Sequence, residues 1–409
     1  MTTANDSMTI QLPTQLNFQQ CCRLENGWSD HYGAILLALA HAGLSCPPNH
    51  SLHGVWQHGC FGPWQNLSAE ALCYSAPNAR QMTVGVARAD QAELLAAKGY
   101  ARVRAMGLPM VYTPEVNVAR IPGSLLVVPT HTLTGDQFPD RSPFERYADE
   151  IQTVAGRFSR VVICVHPNCR RNGLWVDEFS SRGFEIVFGA QTNDANALLR
   201  MRMLFEQFES VTTNGWGSHV AYALAFGARV SIHGALPQRT EADYLKDLSW
   251  AANPAGLKAM LSGETLARER EYLQAFFLPP EHGVADIAKG RWLIGADHKL
   301  APAEMQQVLA AMIPHLLEYQ EVHRTREQRR VVRQEAARLV QARRKPEALK
   351  LLLNFVQQAA ASKQALFILE TLHEVSEDLK TLDPVRSALL QEQAQLLTAR
   401  IETARRTAA

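Results

Sequence analysis

Net charge is almost absent from this 409-residue chain: Lys+Arg 41 stand against Asp+Glu 40. Bulk electrostatics therefore argue against a dedicated nucleic-acid binder and leave any such contact to a local patch. Long apolar runs are also missing. No run approaches the roughly 20 residues of a membrane span, although 46% of the residues are hydrophobic, as in a soluble globular protein. The first twenty residues, MTTANDSMTIQLPTQLNFQQ, hold neither a basic start nor an apolar segment, so a secretory signal is not expected and a cytoplasmic location is. Cysteines number seven, with Cys21 and Cys22 adjacent. An odd set of this kind builds no disulfide framework and fits a reducing compartment. No DxD motif occurs. The cluster of Cys46, His50, His53, His58 and Cys60 has spacings that match no standard zinc pattern, so neither a metal nor another cofactor is expected.

What is present concentrates between Ser159 and Gly234. SRVVICVHP and EIVFGA are β-branched runs, DANALLRMRMLFEQF has apolar residues three and four apart, SVTT is a third strand, GSHVAYALAFG is a helix closed by Gly227, and RVSIHG is a fourth strand. Strands alternating with helices at this spacing predict an α/β fold with parallel, doubly wound sheet. In such sheets ligands bind beyond the carboxyl ends of the strands, and that is where His166, Asn193, Asp194 and the turn TTNGWGSH from Thr212 to His219 fall.

That turn is the most informative stretch. Gly215 and Gly217 flank Trp216 and let the backbone approach a ligand closely; Ser218 then opens a helix whose free N–H groups favour an anion, with a phosphate as the expected guest. Thr213, Asn214, Gly215, Gly217, Ser218 and His219 are thus binding candidates, and the same residues equally suit an ordinary turn and helix cap. His166, fixed by Pro167 and followed by Asn168, faces the same crevice as a donor to a phosphate or leaving group. Asn193 and Asp194 read either as a helix N-cap or as contacts to a base or ribose.

These motifs carry a resemblance. His166–Asn168 resembles the His-Pro motif, and TTNGWGSH the later Ser/Thr-rich phosphate motif, of bacterial GT-B glycosyltransferases that use CMP-activated sugars, including sialyltransferases and Kdo transferases of surface polysaccharides; GSHVAYALAFGARVSIHG is similar to proteins of O-antigen and capsule loci. The resemblance spans roughly residues 50–235. It implies two Rossmann-like domains around a cleft and a nucleotide held by the two motifs. The chain departs from the sialyltransferases in lacking their acidic-acidic-Gly signature. In the first half, Trp56-Gln57-His58-Gly59 resembles, with one extra residue, the Trp-His-Gly of CDP-glycerol polyol-phosphate transferases, where the His is proposed as base. His58 is therefore a catalytic candidate, alongside its alternative as a His packed among Trp56, Phe61 and Trp64.

Along the rest of the chain, NGWSDHYGAILLALAHAGLSC predicts a helix from about Asp30 to Gly43 with Gly27, Trp28 and Ser29 leading in. QMTVGVAR and ADQAELLAAKGY predict a strand and a helix, and TPEVNVARIPGS a linker. SLLVVP then predicts a buried strand whose following loop, THTLTGD, offers His131 and Asp136 for acid/base work across the cleft. FFLPPEHG and GRWLIG read as breaks among later helices. The expected domains are residues 1–120 for the acceptor, 121–313 for the nucleotide-sugar donor, and 314–409 as a helical extension of tetratricopeptide or bundle type that divides at Pro346 and Pro384. The extension offers a surface for a protein partner or self-association. Its basic stretch Arg324 to Lys345 reads as a solvated helix face or as a peripheral contact with an anionic membrane.

The expected function is an enzyme: a metal-independent glycosyltransferase moving a sugar from a CMP-linked donor, nonulosonate or Kdo, to a bacterial surface glycan or lipid-linked precursor. Alternatives are a CDP-polyol phosphotransferase or sugar-nucleotide epimerase on the same scaffold, or a non-catalytic helical scaffold.

Overall fold

The computed structural model describes residues 31–408 apart from 46–51, 66–67, 75, 77, 132–137, 139, 172, 193, 236–239, 247–250, 252 and 361–364. Two parallel sheets organise the larger part of the chain. Strands β1 (Gly54–Trp56), β2 (Thr83–Val86) and β3 (Val103–Ala105) pair in the order β1-β2-β3, with Val55 opposite Val84 and Gly85 opposite Arg104. Strands β4 (Ile121–Val127), β5 (Arg160–Val165), β6 (Glu185–Phe188), β7 (Phe208–Thr213) and β8 (Arg229–Ile232) pair in the order β6-β5-β4-β7-β8. The chain runs outward from β4 through β5 to β6, then returns to the other side of β4 for β7 and β8. The reversal makes a topological switch point between β4 and β7, where ligands of open α/β sheets sit.

Helices α1 (Ala34–His41), α2 (Ala69–Leu72) and α3 (Ala89–Ala97) accompany the smaller sheet; α4 (Ser142–Ala155), α5 (Pro167–Arg171), α6 (Val176–Ser180), α7 (Ala197–Gln207) and α8 (Ser218–Ala225) accompany the larger. Helix α4 shows how the packing arises. Phe144, Tyr147, Ala148 and Ile151 repeat at helical spacing and are buried together with Leu125, Val127, Ile163, Val165, Trp175 and Phe179. Burying each such side chain stabilises by about 1.5–3 kcal/mol.

Three sequence expectations are corrected here. The first helix starts at Ala34 and not near Asp30, because Tyr32 and Gly33 adopt φ of 62° and 79°, which no α-helix continues. The linker does not extend to Ser124: β4 already begins at Ile121 and absorbs Pro122 and Gly123 through a register shift against β7. GRWLIG is no break. Gly290 to Leu293 lie inside the helix Ile287–Leu293, where a Cβ on Gly290 would stand 2.2 Å from the backbone nitrogen of Ala225. Glycine there permits close packing against α8 rather than ending a helix. Further on, the helix Pro302–Met312 returns to the smaller sheet, where the His53 N–H donates to Met312 O at 2.7 Å.

Contacts within the chain divide it into Met1–Pro314 and His315–Ala409. The second unit consists, among its described residues, of helices Leu316–Gln341, Lys345–Ala360, Ala365–Leu379 and Pro384–Ala408 around a core that includes Leu339, Ala348, Leu352, Phe355, Leu372 and Val375. Its basic stretch is laced with acids: Arg329 and Arg333 pair with Glu370, Glu374 and Asp378 of the neighbouring helix, while Arg330 and Arg338 pair with Glu327 and Glu335 one turn away. No described helix is long and apolar enough to cross a membrane.

Candidate functional site

The loops at the switch point are tied directly to each other. Asn214, buried after β7, accepts from the Thr130 N–H at 2.9 Å and from the Thr130 hydroxyl at 3.1 Å, and donates to Ala235 O at 3.1 Å. Both ends of its amide are therefore used within the chain, so it clamps the crevice rather than facing a ligand. Thr213 is likewise occupied. Its hydroxyl donates to Gly215 O at 3.1 Å and meets His219 Nε2 at 2.8 Å, which makes the Nε2–H tautomer of His219 the one that fits. Burial, assisted by His131, lowers the His219 pKa to about 4, so the ring is neutral at neutral pH. As a binding candidate His219 thus offers an uncharged ring whose Nε2–H is already engaged by Thr213. Gly217 is extended, with φ of −178°, and a Cβ there would stand 2.7 Å from the His219 ring, so the second glycine of the turn makes room for that imidazole.

His131, at the exit of β4, is exposed, and its ring lies 4.8 Å from that of His166 at the exit of β5. His166 Nδ1 accepts from the Asn168 N–H at 3.1 Å, which orients the imidazole. The structure thus brings His131, His166 and His219 together at the carboxyl edge of the larger sheet. Asp194 serves its own loop: it accepts from the Asn196 N–H at 2.9 Å and pairs with Arg200. Asp136 and Asn193 lie outside the described residues.

The turn after β1 meets this edge. The Cys60 N–H donates to Ser218 Oγ at 2.8 Å, and the Tyr222 hydroxyl of α8 donates to His58 O at 3.1 Å. Ser218 is thereby drawn into joining the two sheets. Two further contacts shape the turn. Gln57, fully buried, accepts from the Ala87 N–H at 3.0 Å and donates to Gly59 O at 2.9 Å, while Tyr74 Oη accepts from the His58 and Gly59 N–H groups at 3.1 and 3.0 Å. His58 stacks on Tyr74 at 4.4 Å and lies 4.0 Å from His31, ring centre to ring centre. Burial, and then the His31 ring, hold its pKa well below the usual 6.5. His58 is consequently a free base at neutral pH.

Sequence reasoning missed His31, Tyr32, Tyr74 and Tyr222; it placed the lead-in at Gly27, Trp28 and Ser29, outside the described residues, and His31 and Tyr32 within the helix that follows. It also missed an aromatic wall: Trp64 lies 4.9 Å from Trp216 and 4.8 Å from Tyr272, and its indole N–H donates to Glu269 Oε2 at 3.1 Å. Burial raises the Glu269 carboxyl pKa. Trp64 in the aromatic loop after β1 and Trp216 inside the glycine turn were its two signals in the sequence. Among the described residues no three His, Cys, Asp or Glu lie together as a metal set.

No protein-family model matches the sequence, and no curated protein matches it. Among solved structures the chain is similar to the S. aureus MnaA-UDP co-structure at 11% sequence identity, over 63% of this chain and 75% of that one, with a TM-score of 0.29. A likeness of that size carries no argument about activity. The architecture itself is α/β, with parallel sheets and a helical C-terminal region.

Proposed function

We propose that this chain is an enzyme acting on a nucleotide-activated sugar, and that it transfers the glycosyl group to an alcohol acceptor within a GT-B-like arrangement of its two sheets. The observation that supports the reading is the hydrogen bond from the Cys60 N–H to Ser218 Oγ, 2.8 Å, which ties the turn carrying His58 to the start of α8. In this reading the donor phosphate docks at the Gly215–Ser218 turn and the start of α8, with His166 and His131 beside it. The bond from the sugar anomeric carbon to the phosphate oxygen breaks, and its electron pair leaves with the nucleotide. The acceptor oxygen bonds to that carbon and its proton passes to His58. A buried imidazole with a depressed pKa is a weak base, and an arriving anionic donor raises its basicity by Coulomb attraction. The CMP-linked donor follows from the sequence resemblance, and a surface glycan or its lipid-linked precursor is the acceptor that goes with it.

A thermal-shift panel of CMP, CDP, UMP, UDP and GDP tests the reading, because a ligand that binds only the folded state raises its stability, by about 2.7 kcal/mol at a hundredfold excess over Kd. CMP should stabilise the wild type and lose that effect in His166→Ala and Ser218→Ala. Selective stabilisation by UDP would replace the CMP transferase with an epimerase or a UDP-sugar enzyme, and indifference to every nucleotide would overturn the proposal.

A further inference from the structure

The His31–His58 pair has a feature that the transfer step alone does not require. Among the described residues, Nδ1 of His31 and Nδ1 of His58 are both shut off from solvent and have no hydrogen-bond partner. Buried polar nitrogens left in that state cost desolvation with nothing in return. They sit in one cluster, with ring centres 4.0 Å apart, Tyr74 stacked on the far face of His58 and Tyr32 edge-on to it at 5.8 Å. Among the described residues, the titratable groups against the two rings are uncharged at neutral pH, and the charge of Arg88 reaches only as far as Cys60, where it opposes the effect of burial. Burial lowers the His31 pKa to about 4 and pushes Cys60 up to about 12; it also raises the phenols Tyr32, Tyr74 and Tyr222. A pocket so built rejects an ionic guest and suits a neutral group that both donates and accepts a hydrogen bond. An alcohol is such a group.

The turn that leads into the cluster is strained. Tyr32 carries φ of 62°, a costly conformation for a side chain with a Cβ, and it is held by its N–H donating to Thr192 O at 2.8 Å.

We propose that His31 and His58 together hold one hydroxyl of a glycan acceptor, His58 taking its proton and His31 donating to its oxygen, so that His31 positions the alcohol for the transfer proposed above. The inference rests on that reading for the identity of the guest, while the pairing of the two rings stands on its own geometry. Water is the other source of a hydroxyl, and the two are separable by experiment.

The test is a titration of the histidine ring resonances of the full chain, labelled with 13C-histidine, in the wild type, His31→Gln, His31→Phe and His58→Gln. The wild-type rings of His31 and His58 should titrate as a coupled pair below the ordinary imidazole range, and replacing either should move the other upward. Wild-type rings that titrate independently near 6.5 would overturn the pairing even if the His31 variants fail to fold. Methyl glycosides added to the wild type should shift both resonances; coupled rings that ignore glycosides would assign the pocket to water and sink the acceptor assignment. With the donor that the nucleotide panel selects, His31→Gln should lower kcat by roughly 10- to 100-fold and shift the acid limb of the pH profile, whereas a purely structural role would leave the limb in place. If no nucleotide binds while the coupled titration and glycoside response persist, the donor reading fails and the hydroxyl pair survives.

Discussion

His58 and His219 stand in the same kind of place, each beyond the carboxyl end of a parallel strand and each kept neutral by burial, yet they are wired differently. His219 finds Thr213 Oγ1 at 2.8 Å and fills the space that Gly217 leaves open. His58 keeps a buried Nδ1 without a partner among the described residues. Residue type, neighbouring glycine and depressed pKa are alike in the two, so none of these separates a structural histidine from a reactive one. The unsatisfied nitrogen is the difference on which the proposed role of His58 rests, since a ligand that bonds to it removes the cost of leaving it buried.

The comparison can be broken most severely by removing the rings. His58→Ala should lower kcat/KM with the selected donor by about 10²- to 10⁴-fold, beyond what the modest fall in midpoint from the lost stacking on Tyr74 accounts for. His219→Ala should instead show mainly as lost stability, and an activity loss without destabilisation would reverse the assignment. Acid stability sharpens the contrast. Unfolded histidine takes its proton near 6.5, and folded His219 resists until about 4. Stability is therefore full above about pH 6.5 and falls toward pH 4, by on the order of 3 kcal/mol for this one ring. Urea melts of the wild type and His219→Gln across that window should show a shallower slope in the variant; identical slopes would mean that the ring is already charged. A smaller effect is expected at Gly217→Ala, about 1–3 kcal/mol from crowding the His219 ring. The double change with His219→Ala should recover most of it. The least is expected of Ser218→Ala, about 1 kcal/mol for the Cys60 N–H left without its acceptor, read as a small fall in midpoint.

Much of the larger sheet was legible. The runs RVVICV, EIVF and SVTT became β5, β6 and part of β7, and the positive φ of Gly227, 80°, ends α8 where the glycine stood in the sequence. One glycine was misread. Gly290 looked like a breaker, because the reason for it, the backbone of α8, lies 65 residues away in sequence but in contact in space. At the site, TTNGWGSH was found, but its roles were not. Asn214 and Thr213 read as ligand contacts, and only their partners Thr130 and Gly215 reveal them as clamps.

The sequence by itself determined the α/β alternation, the parallel sheet and the turns that reach its carboxyl edge, since these follow from periodicity, β-branching and chain breaks within a few residues. It also determined which residue types stand on those turns. Tertiary structure alone decided that the β1 turn docks on α8, that His31 meets His58, and that His219 spends its nitrogen on Thr213. Whether a polar atom is satisfied depends on what the rest of the fold brings within about 3 Å of it, and no local pattern carries that information.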